Sequence, residues 1–297
     1  MDGLERCRGS VLFVVKFRSD TLVATFCQKM STTTPNLNGT QGTHEAHESH
    51  STGHSGILRV ATYNIHKGVQ GLGPARRLEI HNLGHAVEQL DADIVCLQEV
   101  RKMNRREAQY FDRWPEVSQA EYLSPEGYES VYHTNAFTRD GEHGNALLSR
   151  WPVVGSSHED ISDHRFEQRG LLHVETDVDG KRIHTIVVHL GLIHESRIRQ
   201  IAKIQKFIER EVPSDAPLIV AGDFNDWGFQ IKRMLAGFGL FEFDDGPRSL
   251  TYPARLPMVQ LDHVYVRGLR PTGLYVPNGR IWWRMSDHLP LIAEFQL

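Results

Sequence analysis

Six strand-like apolar runs in the chain lead into, or follow directly from, polar side chains that do not suit an apolar core. These side chains are carboxylates, amides and imidazoles: Asn64, Glu99, His189, Asp223, Asn225, Asp262, Asp287 and His288. Residues at strand ends on one rim of a packed sheet are held rigidly and can converge on one cleft. Such an oxygen-rich set suits Mg²⁺ or Mn²⁺ better than a metal that prefers thiolates.

A cleft of this composition could hydrolyse phosphate esters. Clustered carboxylates repel one another unless a cation lies among them, and that cation would polarise a phosphoryl oxygen and lower the pKa of an attacking water. A histidine oriented by a carboxylate could move the proton. These residue types fit the reaction because phosphate-ester hydrolysis depends mainly on positioning and on neutralisation of charge.

The runs that carry these residues are short and rich in β-branched side chains, which predicts strands. They are ILRVATYN, DIVCLQE, GNALLSR, LLHVETDV, IHTIVVHL, PLIVAGDFN, LDHVYV and PLIAEFQL. Asp179 and Gly180 predict a hairpin between two of them. Apolar residues at helical spacing predict helices from Pro74 to Leu90 and from Glu195 to Val212. Together these elements predict a mixed α/β sandwich rather than a purely parallel, doubly wound sheet.

We expect the 297 residues to divide into a disordered leader with a histidine-rich tail, residues 1–56, and a catalytic domain, residues 57–297. The second half of the leader has almost no large apolar residue, which predicts disorder, and a translation start at Met30 would make residues 1–29 extra. Its histidines at positions 44, 47, 50 and 54 could bind metal on a helix, but a solvated tail is the preferred interpretation. Residues 57–297 contain no Pro- or Gly-rich linker, which predicts one compact domain.

The composition excludes several classes of protein. Hydrophobic residues make up 40% and charged residues 24%, so the chain can form a core and is not wholly disordered. A formal net charge of −4 argues against a broad basic face for nucleic acid, although it permits a local phosphate site. Three cysteines are too few for a disulfide framework, which favours a reducing, cytoplasmic compartment. No apolar run is long enough for a transmembrane segment.

Six segments, in this order, resemble motifs of the endonuclease/exonuclease/phosphatase superfamily, which includes DNase I-like and AP endonuclease-like enzymes. They are TYNIHKG, LQEV, VVHLG, GDFND, LDHVYV and SDHLP. The resemblance covers Ile57 to Leu297 and suggests a bacterial-type member. It implies a four-layered α/β sandwich, with two packed mixed sheets flanked by helices, and cleavage of phosphate esters with Mg²⁺ or Mn²⁺. A binding module without catalytic activity is disfavoured, because no motif residue is missing.

The resemblance also implies which residues bind the metal. Glu99 in LQEV would be the principal ligand, Asn64 would lie beside it, and Asp287 would complete the carboxylates on the metal side.

The remaining motif residues are implied to act on the phosphate and on protons. Asp223 and Asn225 would orient the nucleophilic water and the scissile phosphate, and His189 would bind or protonate the phosphate oxygens. Asp262 would pair with His288 and fix its tautomer, unless Asp262 only caps a turn. Whether His288 or Asp223 accepts the proton stays open.

Further residues near these motifs could line the cleft. Arg169 could bind a phosphate oxygen or lie on the surface, and Asn145 could contact substrate or shape a turn. His66 and Lys67 directly follow a motif residue. Trp227 could stack on a base, but a buried structural tryptophan is the preferred interpretation.

The motifs leave the substrate open between two classes. Nucleic acid is the first choice, because much of the family cleaves it. The alternative is a lipid or inositol head group, as in enzymes of the sphingomyelinase or 5-phosphatase type. The branches share the metal and phosphate machinery and differ in their loops. We expect the protein to act as a monomer.

Overall fold

A computed structural model of the chain describes residues 56–228, 230–243 and 248–297. The predicted disorder of the leader, the suggested start at Met30 and the histidine tract therefore fall outside the described residues. The strands, numbered in chain order, are β1 Ile57–Asn64, β2 Val69–Gln70, β3 Arg77–Leu78, β4 Ile94–Val100, β5 Glu129–Thr138, β6 Gly141–Ser149, β7 Val153–Asp160, β8 Gly170–Val178, β9 Lys181–His189, β10 Leu218–Asp223, β11 Asp262–Arg267, β12 Arg270–Tyr275 and β13 Leu291–Gln296. The α-helices are α1 Ile80–Leu90, α2 Arg105–Tyr110, α3 Gln119–Leu123, α4 His194–Glu211, α5 Gln230–Ala236 and α6 Trp282–Met285.

Two large mixed sheets form the centre of the domain. One has the strand order β12-β13-β1-β4-β6-β5 and the other has the order β11-β10-β9-β8-β7. Each sheet contains one parallel pair, β1 with β4 and β9 with β10, and the other neighbours are antiparallel. The predicted mixed α/β sandwich is confirmed.

Alternation along the strands produces the layers, because successive side chains of a strand point to opposite faces. In β1, Leu58 and Val60 belong to the core between the sheets, whereas Ala61 and Tyr63 belong to the core beneath α1. A third core lies between α4 and the outer face of the second sheet. The order is therefore helices, sheet, sheet, helices. No helix among the described residues is long and apolar enough to cross a membrane.

All eight runs predicted as strands lie in strands of these sheets. The predicted hairpin is also present: Val178 pairs with Lys181, and both intervening residues have a positive φ, 51° for Asp179 and 82° for Gly180. These angles suit a two-residue hairpin turn, which explains the Asp-Gly sequence.

The helix predicted from Pro74 to Leu90 is shorter than expected and begins at Ile80. The preceding residues form a small hairpin in which Val69 pairs with Leu78, and Pro74 lies in a short 3₁₀ turn. The apolar Leu78 therefore packs against the core from a strand. Because it also fits the helical spacing of the residues after it, the predicted helix began too early. The second predicted helix differs from α4 by one residue at each end.

Candidate active site

The strand ends that carry the predicted residues meet at one end of the sandwich. The parallel pairs of both sheets have their carboxyl ends there, and β11 begins at the same end with Asp262. The two sheets are joined directly at this point, because Nδ2 of Asn64, the last residue of β1, donates to Oδ2 of Asp223 in β10 at 3.0 Å.

Asp223 lies at the centre of this cluster and is buried. Its Oδ2 is 3.5 Å from Nε2 of His189 and 3.6 Å from Nε2 of His288. Its Oδ1 accepts a hydrogen bond of 3.0 Å from the backbone N–H of Asn225. Burial raises the pKa of Asp223 to about 6, against the opposing charge of His288. The carboxyl group can therefore exchange a proton near neutral pH.

His288 bridges two buried carboxylates. Its Nδ1 is 2.8 Å from Oδ2 of Asp262, and its Nε2 faces Asp223. Burial alone would lower the pKa of His288, but the charges of Asp262 and Asp223 raise it to about 10. The ring is therefore positively charged at neutral pH, donates from Nδ1 to Asp262 and keeps a second N–H that faces Asp223. His189 differs, because burial and the charge of Arg169 hold its pKa well below the ordinary value.

The backbone at two motif residues adopts an uncommon conformation. Glu99 and Asn225 have φ values of 57° and 47°, in the left-handed region. At Glu99 the pairing of β4 with β6 shifts register between Leu97 and Val100, and such irregularities re-aim a side chain next to active sites. At Gly222 in GDFND a Cβ would lie 1.9 Å from the carbonyl oxygen of Val188, which excludes a side chain there.

Two of the three predicted metal ligands, Glu99 and Asp287, lie against a lysine and a histidine side chain. Lys67 Nζ is 2.8 Å from Oε2 of Glu99, and His66 Nδ1 is 2.8 Å from Oδ1 of Asp287. Burial would raise the pKa of Glu99, but the neighbouring side chains of His189 and Lys67, the latter hydrogen-bonded to it, hold it well below its usual range. Because Glu99 is an ionised, largely buried carboxylate and Asn64 adds an amide oxygen, this side of the site fits a hard divalent cation.

Among the described residues, two groups of histidine and carboxylate side chains have ligand atoms close enough to hold a metal, and neither group includes Glu99 or Asp287. One consists of Asp223, Asp262 and His288, but Nδ1 of His288 already lies 2.8 Å from Oδ2 of Asp262, so we interpret these two residues as a hydrogen-bonded pair beside Asp223. The other consists of His173, Glu175 and His184 on β8 and β9, away from the strand ends of the site. There His173 Nε2 lies 2.9 Å from Nδ1 of His184, and burial lowers the pKa of His173 to about 4.

Arg169 lies next to the site and is held in place by neighbouring groups. Its Nε donates to the carbonyl oxygen of Leu190 at 3.2 Å, and its Nη2 is 3.1 Å from Oε1 of Glu167. Contact of Arg169 with a phosphate stays a prediction. His143 was not anticipated: it is partly buried near Lys67 and Arg169, and burial with the charge of Lys67 lowers its pKa to about 4. Its place just before the GNALLSR run was the available signal.

The structure places Asn145 between the two sheets rather than at the surface of the cleft. Its side chain is buried, and Nδ2 donates to the carbonyl oxygens of Gly170 and Val187 at 3.0 and 3.1 Å. It thereby joins β6 of one sheet to β8 and β9 of the other. Direct contact of Asn145 with substrate stays a prediction.

Replacement of Asn145 with alanine should lower the free energy of unfolding by about 1–3 kcal/mol, because two buried carbonyl oxygens lose a donor. Chemical denaturation would measure this loss. A matched variant is Asn278→Ala, which removes the same amide from an exposed loop. Unchanged stability combined with a raised KM would instead indicate that Asn145 serves the substrate.

The expectation of a buried Trp227 was wrong, because the side chain is 64% exposed. The chain stays buried through Asp226 and reaches the surface at residue 227, which lies on a loop and not in the packed sheet. Its ring meets Tyr252 edge to face at 6.3 Å, and Tyr252 in turn lies 4.9 Å from the ring of His288. Tyr252, which sequence reasoning missed, therefore forms a wall of the site.

Known proteins are similar to this domain in sequence and in fold. The chain is 37% identical over 247 residues to the uncharacterized protein YbhP of Escherichia coli (strain K12), which covers 81% of this chain and 96% of that protein. A mannosyl-6-phosphatase from Bacteroides thetaiotaomicron superposes with a TM-score of 0.62 at 19% identity, over 81% of this chain and all (100%) of that one.

A D. rerio TDP2 structure, complexed with single-strand DNA product, superposes with a TM-score of 0.57 at 17% identity, over 81% of this chain and 99% of that one. At such identities the superpositions show the fold alone. The sequence evidence goes further, because the model of the Endonuclease/Exonuclease/phosphatase family matches residues 61–288, which include all eight clustered motif residues. The chain belongs to the endonuclease/exonuclease/phosphatase family.

Proposed function

We propose that this protein hydrolyses phosphate diesters with the help of a divalent cation. The observation that carries the proposal is the buried chain Asp262–His288–Asp223, with distances of 2.8 and 3.6 Å, next to the ionised carboxylate of Glu99. On one side of the cleft, Asp223 and His288 can exchange protons and supply positive charge. On the other side, Glu99 offers carboxylate oxygens to a cation.

Glu99, Asp287 and Asn64 would hold the cation, Mg²⁺ or Mn²⁺. When bound, the cation supplies a Lewis acid that polarises a phosphoryl oxygen and lowers the pKa of a water. The side chains of Lys67 and His66, which contact these carboxylates, would move away or turn toward the negatively charged substrate.

Proton transfer is assigned to Asp223. His288 already carries a proton on each nitrogen, so it cannot accept another, whereas Asp223 has a pKa of about 6. Asp223, oriented by the Asn225 backbone, would accept the proton of the attacking water. His288 and His189 would donate hydrogen bonds to phosphoryl oxygens. The water oxygen forms a P–O bond while its proton passes to Asp223, the P–O ester bond breaks, and the leaving alkoxide takes up a proton from solvent.

The expected nucleic-acid substrate belongs to this proposal and is supported by one structural relative, the TDP2 protein, described with a single-strand DNA product. Another relative is described as a mannosyl-6-phosphatase. The chemistry common to both is cleavage of a phosphate ester. A substrate panel of plasmid DNA, abasic DNA, RNA, phospholipid vesicles and inositol phosphates would distinguish the classes.

Removal of divalent cations should stop the reaction. Treatment of the full chain with EDTA is expected to lower hydrolysis of bis(p-nitrophenyl) phosphate by about a hundred-fold, on the order of 2.7 kcal/mol in transition-state stabilisation. Added Mg²⁺ or Mn²⁺ should restore the rate, and added Ca²⁺ serves as the comparison cation. Turnover that resists the chelator would contradict the assigned role of the cation.

A further inference from the structure

Three side chains on the outer face of the second sheet bring two imidazoles and a carboxylate together. His173 and Glu175 lie two positions apart on β8, and His184 of β9 pairs with Glu175. The two histidines are buried, with 2% and 3% of their surface exposed. Their ligand nitrogens and a carboxylate oxygen of Glu175 all lie within 4.8 Å of one another. We refer to these three residues as the His173 cluster.

The His173 cluster is separate from the candidate active site. His184 lies five positions before His189 on the same strand, a distance of about 17 Å. Successive side chains of a strand alternate between its faces, so these two histidines point to opposite faces of the sheet. The ring of His173 meets Phe207 of α4 edge to face at 5.5 Å, which places the cluster against that helix. The proposed hydrolysis therefore gives the cluster no role.

Both imidazoles of the cluster are in the form that binds metal ions. Burial lowers the pKa of His173 to about 4 and also lowers the pKa of His184, so both rings are uncharged at neutral pH. Nε2 of His173 and Nδ1 of His184 face each other at 2.9 Å. Two nitrogen ligands of a tetrahedral Zn²⁺ lie about 3.3 Å apart, so a small rotation of the rings would admit the ion.

Residues of β7 orient the ligands of the cluster. Oγ of Ser157 lies 3.2 Å from Nδ1 of His173. With its proton on Nδ1, the ring donates to the serine and leaves the lone pair of Nε2 free, as is typical of histidines that bind metals. Gly155 pairs with Glu175, and a Cβ at Gly155 would lie 3.2 Å from Oε1 of that carboxylate. The glycine therefore leaves room for the side chain of Glu175 over β7.

The donor atoms of the cluster favour a transition metal over Mg²⁺. Zn²⁺, Cu²⁺ and Ni²⁺ bind imidazole nitrogens well, whereas Mg²⁺ takes oxygen ligands. The charges of Arg182 and Arg267 oppose a cation near the imidazoles, and the carboxylates of Glu175 and Glu211 balance them. Arg182 lies 3.2 Å from Glu175, but its side chain is 62% exposed and can turn into solvent when a metal binds.

We propose that His173, Glu175 and His184 bind Zn²⁺ or a similar divalent transition-metal ion at a site separate from the cation site of hydrolysis. The three side chains supply two nitrogens and one oxygen, and a water completes the four ligands that Zn²⁺ prefers. The ion links β8 to β9 and stabilises the folded domain, because it binds the native state. This site goes beyond the proposed function and does not depend on it.

Equilibrium dialysis of the full chain against Zn²⁺ tests the site, with excess Mg²⁺ present to occupy the cation site of hydrolysis. We expect the wild type to bind one more tightly held equivalent of Zn²⁺ than His184→Gln, and Glu175→Gln should weaken this equivalent by at least about tenfold. Ser157→Ala removes only the partner of Nδ1 of His173 and should weaken it by about tenfold. Circular dichroism checks the fold of each variant. Should His184→Gln fail to fold, the partly exposed Glu175 and Ser157 still decide the test.

The histidines of residues 1–56 supply the matched control, because they could also take up Zn²⁺. A variant with His47→Gln and His50→Gln should keep the equivalent bound by the cluster and should show the same rise of Tm with Zn²⁺ as the wild type. Glu175→Gln should lose this rise. Its Mg²⁺-dependent hydrolysis of bis(p-nitrophenyl) phosphate should stay within about twofold of the wild type, because the cluster lies outside the active site.

Two results would overturn the proposed metal site. Equal Zn²⁺ binding and an equal rise of Tm in the wild type, His184→Gln and Glu175→Gln would assign the bound zinc to other residues. Loss of the tightly held equivalent in the variant of His47 and His50 alone would assign it to the histidines that precede the domain.

Discussion

Replacement of Glu99 with glutamine is expected to reduce cation-dependent hydrolysis by about a thousand-fold, equivalent to about 4 kcal/mol of transition-state stabilisation. Glutamine keeps the shape of the side chain but removes the charge that attracts the cation. Glu99 has a φ of 57° at a register shift of β4, and this backbone conformation directs its side chain. The steady-state rate with saturating Mg²⁺ measures the loss.

Two further measurements separate loss of the cation from loss of the fold. Saturating Mg²⁺ should raise the Tm of the wild type, because binding to the native state stabilises it, and this increase should vanish in the variant. Glu88→Gln, on the exposed face of α1, is the matched control and should keep both activity and the Mg²⁺ response. More than a tenth of wild-type activity in Glu99→Gln would remove Glu99 from the proposed site.

The convergence of the motif residues could be predicted because each polar residue interrupts or borders an apolar strand. The run before Asp223 is buried along its whole length, and the same is true of the run before His189. Since these two strands are parallel neighbours, their carboxyl ends meet without further assumptions. Spacing alone does not reveal which strand ends of the two sheets lie together. The resemblance of the six motifs to the family implied that arrangement.

The geometry inside the cluster could not be predicted. Asn64 contacts Asp223 across 159 positions of the sequence, and no local pattern specifies such a pair. The Lys67–Glu99 ion pair depends on a left-handed turn at residues 66 and 67, with φ values of 46° and 60°, where neither residue is glycine. Tyr252 was missed because its segment has no apolar periodicity.

The strands that sequence reasoning missed include the edge strands β5, β7 and β12. Edge strands are covered on fewer sides, so their side chains need not form a continuous apolar run. In β5, ESVYHTNAFT, Ala136 is the one buried residue. The pattern that identified central strands was therefore absent from these segments, although their pairing with the predicted strands is extensive.

Replacement of His288 with glutamine should reduce the rate of hydrolysis by about a thousand-fold, and Asp262→Asn should reduce it by about a hundred-fold. Both effects are typical of the loss of a general acid–base group. Glutamine can donate one hydrogen bond toward the phosphate but carries no positive charge. Asparagine at position 262 still occupies the 2.8 Å contact with His288 Nδ1 but no longer stabilises the imidazolium.

The pH dependence distinguishes the positioning role of Asp262 from simple damage to the fold. The charges of Asp262 and Asp223 raise the pKa of His288 to about 10, so the wild-type ring keeps its proton well above neutral pH. Without the negative charge of Asp262, His288 loses its proton at lower pH, and the alkaline decline of kcat should move to lower pH. Asp215→Asn, on an exposed loop, should leave this decline unchanged. Because a purely structural defect lowers kcat at every pH alike, an unshifted profile in Asp262→Asn would show that Asp262 does not control the charge of His288.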